Sequence, residues 1–266
     1  MQVTGNKEIQ PYYVLSIRLS ADGFSFSAYI PAATDSPVHS YHKKDLDMSV
    51  PVALTLRHCL ASENIVPAYT FRQVDVMLIS SRYTIVPLAL FDDEQAERLL
   101  YFNHARRENE TVLYQVLRSE QVVLFAIDRS VLHVVCERFP NASFYVQTVP
   151  MLDYLNRKAG AEVGKLYVYL HQTHIDVYCY VRGQLALANS FSCATLEDAV
   201  YYILYVWKQQ GLEQQRDELH LMGEYATQKE LAHRLRRFLN NVITQPLTSD
   251  ADRLPLDMQL LRLKDY

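Results

Sequence analysis

The chain has 266 residues, with 26 Lys and Arg against 30 Asp and Glu, for a formal net charge of −4. Hydrophobic residues make up 49% and charged residues 21%, which excludes a disordered or collagen-like chain and supplies a sizeable core. There are 7 glycines, about 3% against a usual ~7%, so a glycine-rich phosphate cradle has little to be built from.

Residues 13–19 (YVLSIRL) alternate as a strand, and residues 24–30 (FSFSAYI) alternate again after Asp22-Gly23, which predicts a tight hairpin. A third strand is expected over 37–43, then a helix over 50–60 with Leu54, Leu56 and Leu60 among its apolar positions. Strands follow at 74–79 and 84–90, with Pro87 marking an edge or a bend. Asp92 or Asp93 can cap a helix running to about Phe102. Residues 112–117 and 122–127 read as paired strands. Asp128 is placed to cap a helix with Val131, Leu132, Val135 and Phe139 at helical spacing. A strand over 144–149 and a short helix opened by Pro150 complete the first half.

The second half predicts three consecutive strands at 166–170, 175–181 and 184–190, with Arg182-Gly183 at the second turn. Thr195 with Asp198 resembles a capping box, opening a helix with Leu196, Ala199, Val200, Ile203, Leu204 and Trp207 on one stripe. Residues 218–222 read as a strand ended by Gly223. Thr227 with Glu230 reads as a second capping box, before a helix of Leu231, Leu235, Phe238 and Leu239. The leucine-rich tail from Thr248 is expected to strap onto the body.

The polar first ten residues predict no signal peptide, and the longest apolar run, Ala199 to Trp207, is too short to span a bilayer. Cys59, Cys136, Cys179 and Cys193 show no C-x-x-C pair and read as reduced thiols of a cytoplasmic protein. His171-x-x-His174 offers two metal ligands by type, but a strand and its turn need not bring them together and no nearby Cys or Asp completes a set. They read as surface turn histidines, and no metal is expected. Asp92-Asp93-Glu94 reads as helix capping rather than paired catalytic acids. Lys229, His233, Arg234, Arg236 and Arg237 read as a solvated helix face, so no nucleic-acid partner is expected at this net charge.

The two hairpin starts superpose at an offset of 151 residues: Arg18 on Tyr169, Ser20 on His171, Phe26 on Val177 and Tyr29 on Tyr180. A strand–turn–strand–strand–helix opening repeated once predicts two similar lobes. This order resembles the actin-like ATPase superfamily of actin, Hsp70-type chaperones and sugar kinases. The order from Ser80 to Leu155 is similar to the branch containing the cytoplasmic proteins of type IV pilus assembly and type II secretion, where a small subdomain is inserted in the first lobe. The whole chain also resembles an uncharacterised bacterial domain-of-unknown-function family of that superfamily. The resemblance covers roughly residues 11–245. It implies an α/β fold of two actin-like (RNase H-like) lobes: a first lobe over 11–160 with an inserted subdomain at about 82–120, a second over 161–247, and a packed tail over 248–266.

The phosphate motifs depart from the superfamily. Arg18 and Ser20 stand where the first loop carries Asp and Gly. The second loop reads Tyr169-Leu170-His171-Gln172-Thr173, keeping only the Thr, and the adenosine loop reads Leu221-Met222-Gly223-Glu224, keeping one Gly. ATP hydrolysis is therefore expected to be lost. The reading is a non-catalytic scaffold holding a protein partner, with no catalytic residue and no cofactor. Any surviving cleft floor would draw on Arg18, Ser20, Asp22, His171, Thr173 and Gly223. The alternative is a divergent ATPase or kinase using Asp22 and Thr173 with Asp176.

Overall fold

The computed structural model describes residues 13–21, 23–30, 40–47, 49–223, 225–245 and 254–262. Its elements run β1 (Tyr13–Ser20), β2 (Gly23–Tyr29), β3 (Ser40–Asp45), α1 (Val52–Ala61), β4 (Phe71–Leu78), β5 (Tyr83–Pro87), α2 (Ala96–Asn103), β6 (Glu110–Val116), β7 (Gln121–Asp128), α3 (Arg129–Arg138), β8 (Ser143–Val146) and α4 (Thr148–Lys158). They continue with β9 (Lys165–Leu170), β10 (His174–Val181), β11 (Gln184–Ser192), α5 (Leu196–Gln209), β12 (Glu218–Met222), α6 (Tyr225–Leu235), β13 (Asn241–Thr244) and α7 (Leu256–Arg262).

Two five-stranded sheets share one topology, β3-β2-β1-β4-β8 and β11-β10-β9-β12-β13. Each is a run of three antiparallel strands followed, through helices, by two more. The insertion between β4 and α3 forms a three-stranded sheet, β5-β7-β6, which with α2 spans residues 83–128. This is an α/β architecture of two halves with the same strand order. The offset of 151 also carries the pairing: Ile17 faces Phe26 in the first hairpin and Val168 faces Val177 in the second.

By its contacts the chain forms two compact units. One holds the described residues up to Met77 with Ser130–Phe144, the other Leu78–Arg129 with the described residues from Tyr145 on. The inserted sheet therefore groups with the second five-stranded sheet, whereas the topology places it within the first half.

Sequence rules explain most elements locally. Gly23 opens β2 because a Cβ there would stand 2.6 Å from the Lys44 carbonyl oxygen of β3. Pro87 ends β5, an edge strand, and the chain turns into a 3₁₀ segment at Leu88–Leu90 instead of continuing the expected strand. Thr195 and Asp198 form the reciprocal capping box of α5. Ala199, Ile203, Val206 and Trp207 are the buried stripe of that helix.

Several expectations are corrected. β8 stops at Val146 and α4 begins at Thr148, so Pro150 sits inside the first turn. That position tolerates it because first-turn N–H groups have no intrahelical acceptor. α6 starts at Tyr225, which puts Thr227 inside the helix rather than at its cap. Phe238 lies beyond that helix and is half exposed. β13, which the sequence reading did not contain, pairs in parallel with β12. The described tail buries Leu254, Met258, Leu260 and Leu261, and α7 packs on α4. All four cysteines are free, and burial pushes the Cys179 thiol up to about 12. Among the described residues no helix is long and apolar enough to cross a membrane.

Candidate functional site

The second five-stranded sheet has two unlike faces. Leu166, Val168, Ile175, Val177 and Cys179 enter an apolar core with residues of α5 and α6. Strand alternation sends Tyr167, Tyr169, His174, Asp176, Tyr178 and Tyr180 to the other face. There the helix α4 meets them. The Tyr180 hydroxyl donates to Asn156 Oδ1 at 2.7 Å, and Thr148 Oγ1 lies 3.4 Å from the Tyr178 hydroxyl.

Asp176 is the centre of this face and is fully buried. Its Oδ2 accepts from Gln147 Nε2 at 3.2 Å and lies 2.8 Å from His171 Nε2. Its Oδ1 accepts from the Ser190 hydroxyl and lies 3.8 Å from His174 Nε2. Burial alone would raise the carboxyl pKa. The charge and hydrogen bond of His171, the charge of His174 and the Ser190 bond outweigh it and hold the group below its ordinary value.

The network reaches the inserted segment. Gln147 bonds both backbone groups of Ser80, at 3.0 and 2.9 Å. The Tyr83 hydroxyl lies 3.5 Å from Ser190 Oγ, and burial, then the Asp176 charge, holds it above the usual phenol range. These bonds give a physical reason for the contact grouping of the inserted sheet with the second five-stranded sheet.

His171 and His174 do converge, which corrects their reading as separate surface histidines. Their rings stack at 4.1 Å and 10°, with side chains 4% and 14% exposed. The cause is register. The short β9–β10 turn, closed by His171 N donating to His174 O at 3.0 Å, brings its two ends together. His174 and Asp176, two apart on one strand, then share a face. The donor atoms of His171, His174 and Asp176 all lie within 4.8 Å of one another. Asp176, which the sequence reading used only in the ATPase or kinase alternative, is thus the acid that completes the set. Its signal was a carboxylate inside an otherwise apolar strand, IDVYCYV.

Three of the six residues expected on a cleft floor share one end of the second sheet. His171 and exposed Thr173 lie in the β9–β10 turn, and Thr173 Oγ1 is 3.4 Å from His174 Nδ1. Gly223 follows β12, where Met222 pairs with Tyr169. Its φ is +115°, and a Cβ there would stand 2.7 Å from the Leu170 carbonyl oxygen. This glycine serves a close strand approach, and its carbonyl accepts from Gln228 Nε2 at 2.7 Å. Half-buried Arg18 and Ser20 end β1 in the first unit, paired with Ser25 and Gly23. Asp22 and Glu224 lie outside the described residues.

Members of two other charged clusters have structural partners. Asp92 Oδ1 accepts from Glu94 N at 3.1 Å, the capping role expected of the acidic run. Arg234 pairs with Glu197 and, at 2.7 Å, with Glu230, while Arg236 donates to the Val242 carbonyl at 3.2 Å. Within the second unit, an open groove of about 600 Å³ separates the edge strands β5 and β11. Val86, His104, Leu185 and Leu187 are among its lining residues.

The family described as "Protein of unknown function (DUF3822)" matches residues 3–242. A protein from Bacteroides thetaiotaomicron VPI-5482, with an actin-like ATPase fold and unknown function, is 40% identical, with 96% of this chain and 97% of that one covered and a TM-score of 0.84. The PilM-PilN type IV pilus biogenesis complex matches at 11% identity, covering 95% of this chain and 99% of that one, with a TM-score of 0.56. The cytoplasmic domain of EpsL, an inner membrane component of the type II secretion system of Vibrio cholerae, matches at 13% identity over 94% and 93%, with a TM-score of 0.47. No curated protein matches the chain significantly.

Proposed function

The chain belongs to the DUF3822 family and has the actin-like ATPase fold, and from that premise we propose that it is a non-catalytic scaffold that holds a protein partner. The observation that carries this reading is the filled second phosphate position. In this fold the turn between the first two strands of the second half needs bare backbone, so that N–H groups can approach phosphate oxygens. Here that turn carries His171, whose ring lies against Asp176, and the bulky Gln172. Gly223 is committed to Leu170.

The divergent-ATPase alternative needs Asp176 to serve a magnesium ion or its water, an ion that takes oxygen donors. That carboxylate is flanked instead by two imidazole nitrogens, those of His171 and His174. The groove between β5 and β11 is where the scaffold reading seats an extended partner segment, because edge strands offer backbone N–H and C=O groups for strand addition. PilM, which forms a complex with PilN, is an instance of the same fold in a protein assembly.

Isothermal titration of the full chain with Mg-ATP tests the loss of nucleotide chemistry. The expected result is no saturable heat up to millimolar nucleotide. Sub-millimolar affinity would end the scaffold-only reading.

A further inference from the structure

We propose that His171, His174 and Asp176 form a binding site for one divalent transition-metal ion of the zinc class. The proposal shares His171 and Asp176 with the scaffold reading but does not rest on it, since it needs only the donor atoms of these side chains.

The donor set comes first. Two imidazole nitrogens and one carboxylate oxygen suit zinc, cobalt(II) or nickel(II), whereas magnesium and calcium take oxygen donors. Three protein ligands are also the number found where a fourth position is left to water or an exchangeable ligand.

The spacing comes second. Metal–donor bonds of ~2.0–2.1 Å place tetrahedral donors ~3.3 Å apart. His171 Nε2 stands 2.8 Å from Asp176 Oδ2 and His174 Nε2 3.8 Å from Oδ1, and one donor atom from each of the three residues lies within 4.8 Å of the other two.

The surroundings come third. Ligating carboxylates and imidazoles are oriented by outer hydrogen bonds. Gln147 and Ser190 each donate to Asp176, and the Thr173 hydroxyl sits at His174 Nδ1, leaving Nε2 directed at the carboxylate. Tyr169 packs edge-on against His171, with centroids 4.6 Å apart. The site lies at a turn, and His174 keeps 14% side-chain exposure while its Nε2 is buried, so an ion enters as that ring turns.

Binding has a mechanical consequence. An ion sits in the plane of each imidazole it binds, and rings parallel to within 10° and 4.1 Å apart cannot both satisfy that. Loading therefore unstacks the pair. His174, the more exposed ring, is the one that turns.

The test uses the full-length chain, stripped of metal with a chelator and titrated with zinc chloride alone. The expected result is one saturating equivalent. Cobalt(II) should give the visible absorption of a four-coordinate ion, and in the zinc titration the imidazole NMR signals of His171 and His174 should shift while those of the other histidines stay. His174→Ala and His171→Ala should each weaken binding by about 100-fold, and Ser190→Ala by about 10-fold. His133→Ala, an exposed position on α3, should change nothing. The NMR readout needs no variant, so it stands even if a substitution impairs folding. The proposal is overturned if the wild-type chain shows no saturable zinc or cobalt(II) binding, or if the doubly substituted, folded His171→Ala/His174→Ala chain binds one equivalent unchanged.

Discussion

The β1–β2 and β9–β10 hairpins are the same object built twice, with opposite chemistry at one place. Arg18 faces Ser25 in the first, and Tyr169 faces Asp176 in the second, at the same offset of 151. Around these pairs both hairpins keep apolar partners, Ile17 with Phe26 and Val168 with Val177. Strand pairing depends on backbone bonds and on the apolar face, so one position on the opposite face can change its chemistry without disturbing the fold. In the first hairpin that position carries a small hydroxyl, which accepts from Tyr41 at 3.3 Å. In the second it carries a buried charge on which a turn, a helix start and two strands converge.

The largest expected effect breaks this contrast directly. Asp176→Ala removes the acceptor that Gln147, Ser190 and His171 share in this buried network and should cost about 3–5 kcal/mol in denaturant unfolding. Ser25→Ala, the counterpart in the first hairpin, should cost about 1 kcal/mol. Equal losses at the two positions would dissolve the distinction drawn between the halves.

Next in size is Gly223→Ala. The new Cβ would meet the Leu170 carbonyl at 2.7 Å at a φ that side chains rarely adopt, so a loss of about 2–3 kcal/mol is expected in thermal unfolding. A neutral result would mean that the end of β12 has slack, and that the glycine is not committed to the neighbouring strand.

The inserted sheet supplies a pH-dependent test. Arg82 binds Glu110 through both guanidinium arms, one at 3.0 Å, and also reaches the Ala105 carbonyl. Burial alone would raise the Glu110 pKa, but the Arg82 hydrogen bond and charge outweigh it and hold it below its ordinary 4.5. A depressed carboxyl contributes stability that is fully present above the unfolded value and lost as pH falls through the folded one. Stability of the insertion should therefore fall as pH drops below about 4.5, and Glu110→Gln should cost about 1–2 kcal/mol at neutral pH and flatten that slope. Hydrogen exchange in β6 measured against pH reads this out. An unchanged slope in the variant would remove Glu110 from the account.

The smallest effect is expected at a local device read correctly from sequence. Thr195→Ala removes one half of the α5 capping box and should cost about 1 kcal/mol. Thr227→Ala, inside α6, removes no N-cap, which separates the capping box that formed from the one that did not.

What was legible follows from what is local. The alternation of β1, β2, β9 and β10, the Thr195 cap and the stripe of α5 are written within a few residues of one another. Duplication of the first hairpin was legible too, because it repeats that local pattern. β13 was not. It has four residues, one of them buried, and it owes its existence to parallel pairing with β12. The Asp176 cluster was half legible. His174 and Asp176 share a face by strand period alone, and a carboxylate amid IDVYCYV asks for partners. Those partners, Gln147 at the start of α4 and Ser190 on β11, are fixed by tertiary packing that no local pattern encodes.

The central claim is that side chains close the second phosphate position. It is tested most directly by backbone amide NMR of the ¹⁵N-labelled chain with millimolar Mg-ATP. The account predicts that the signals of Gln172, Thr173 and Gly223 stay where they are. Saturating shifts at those three amides, with the nucleotide bound there, would contradict it.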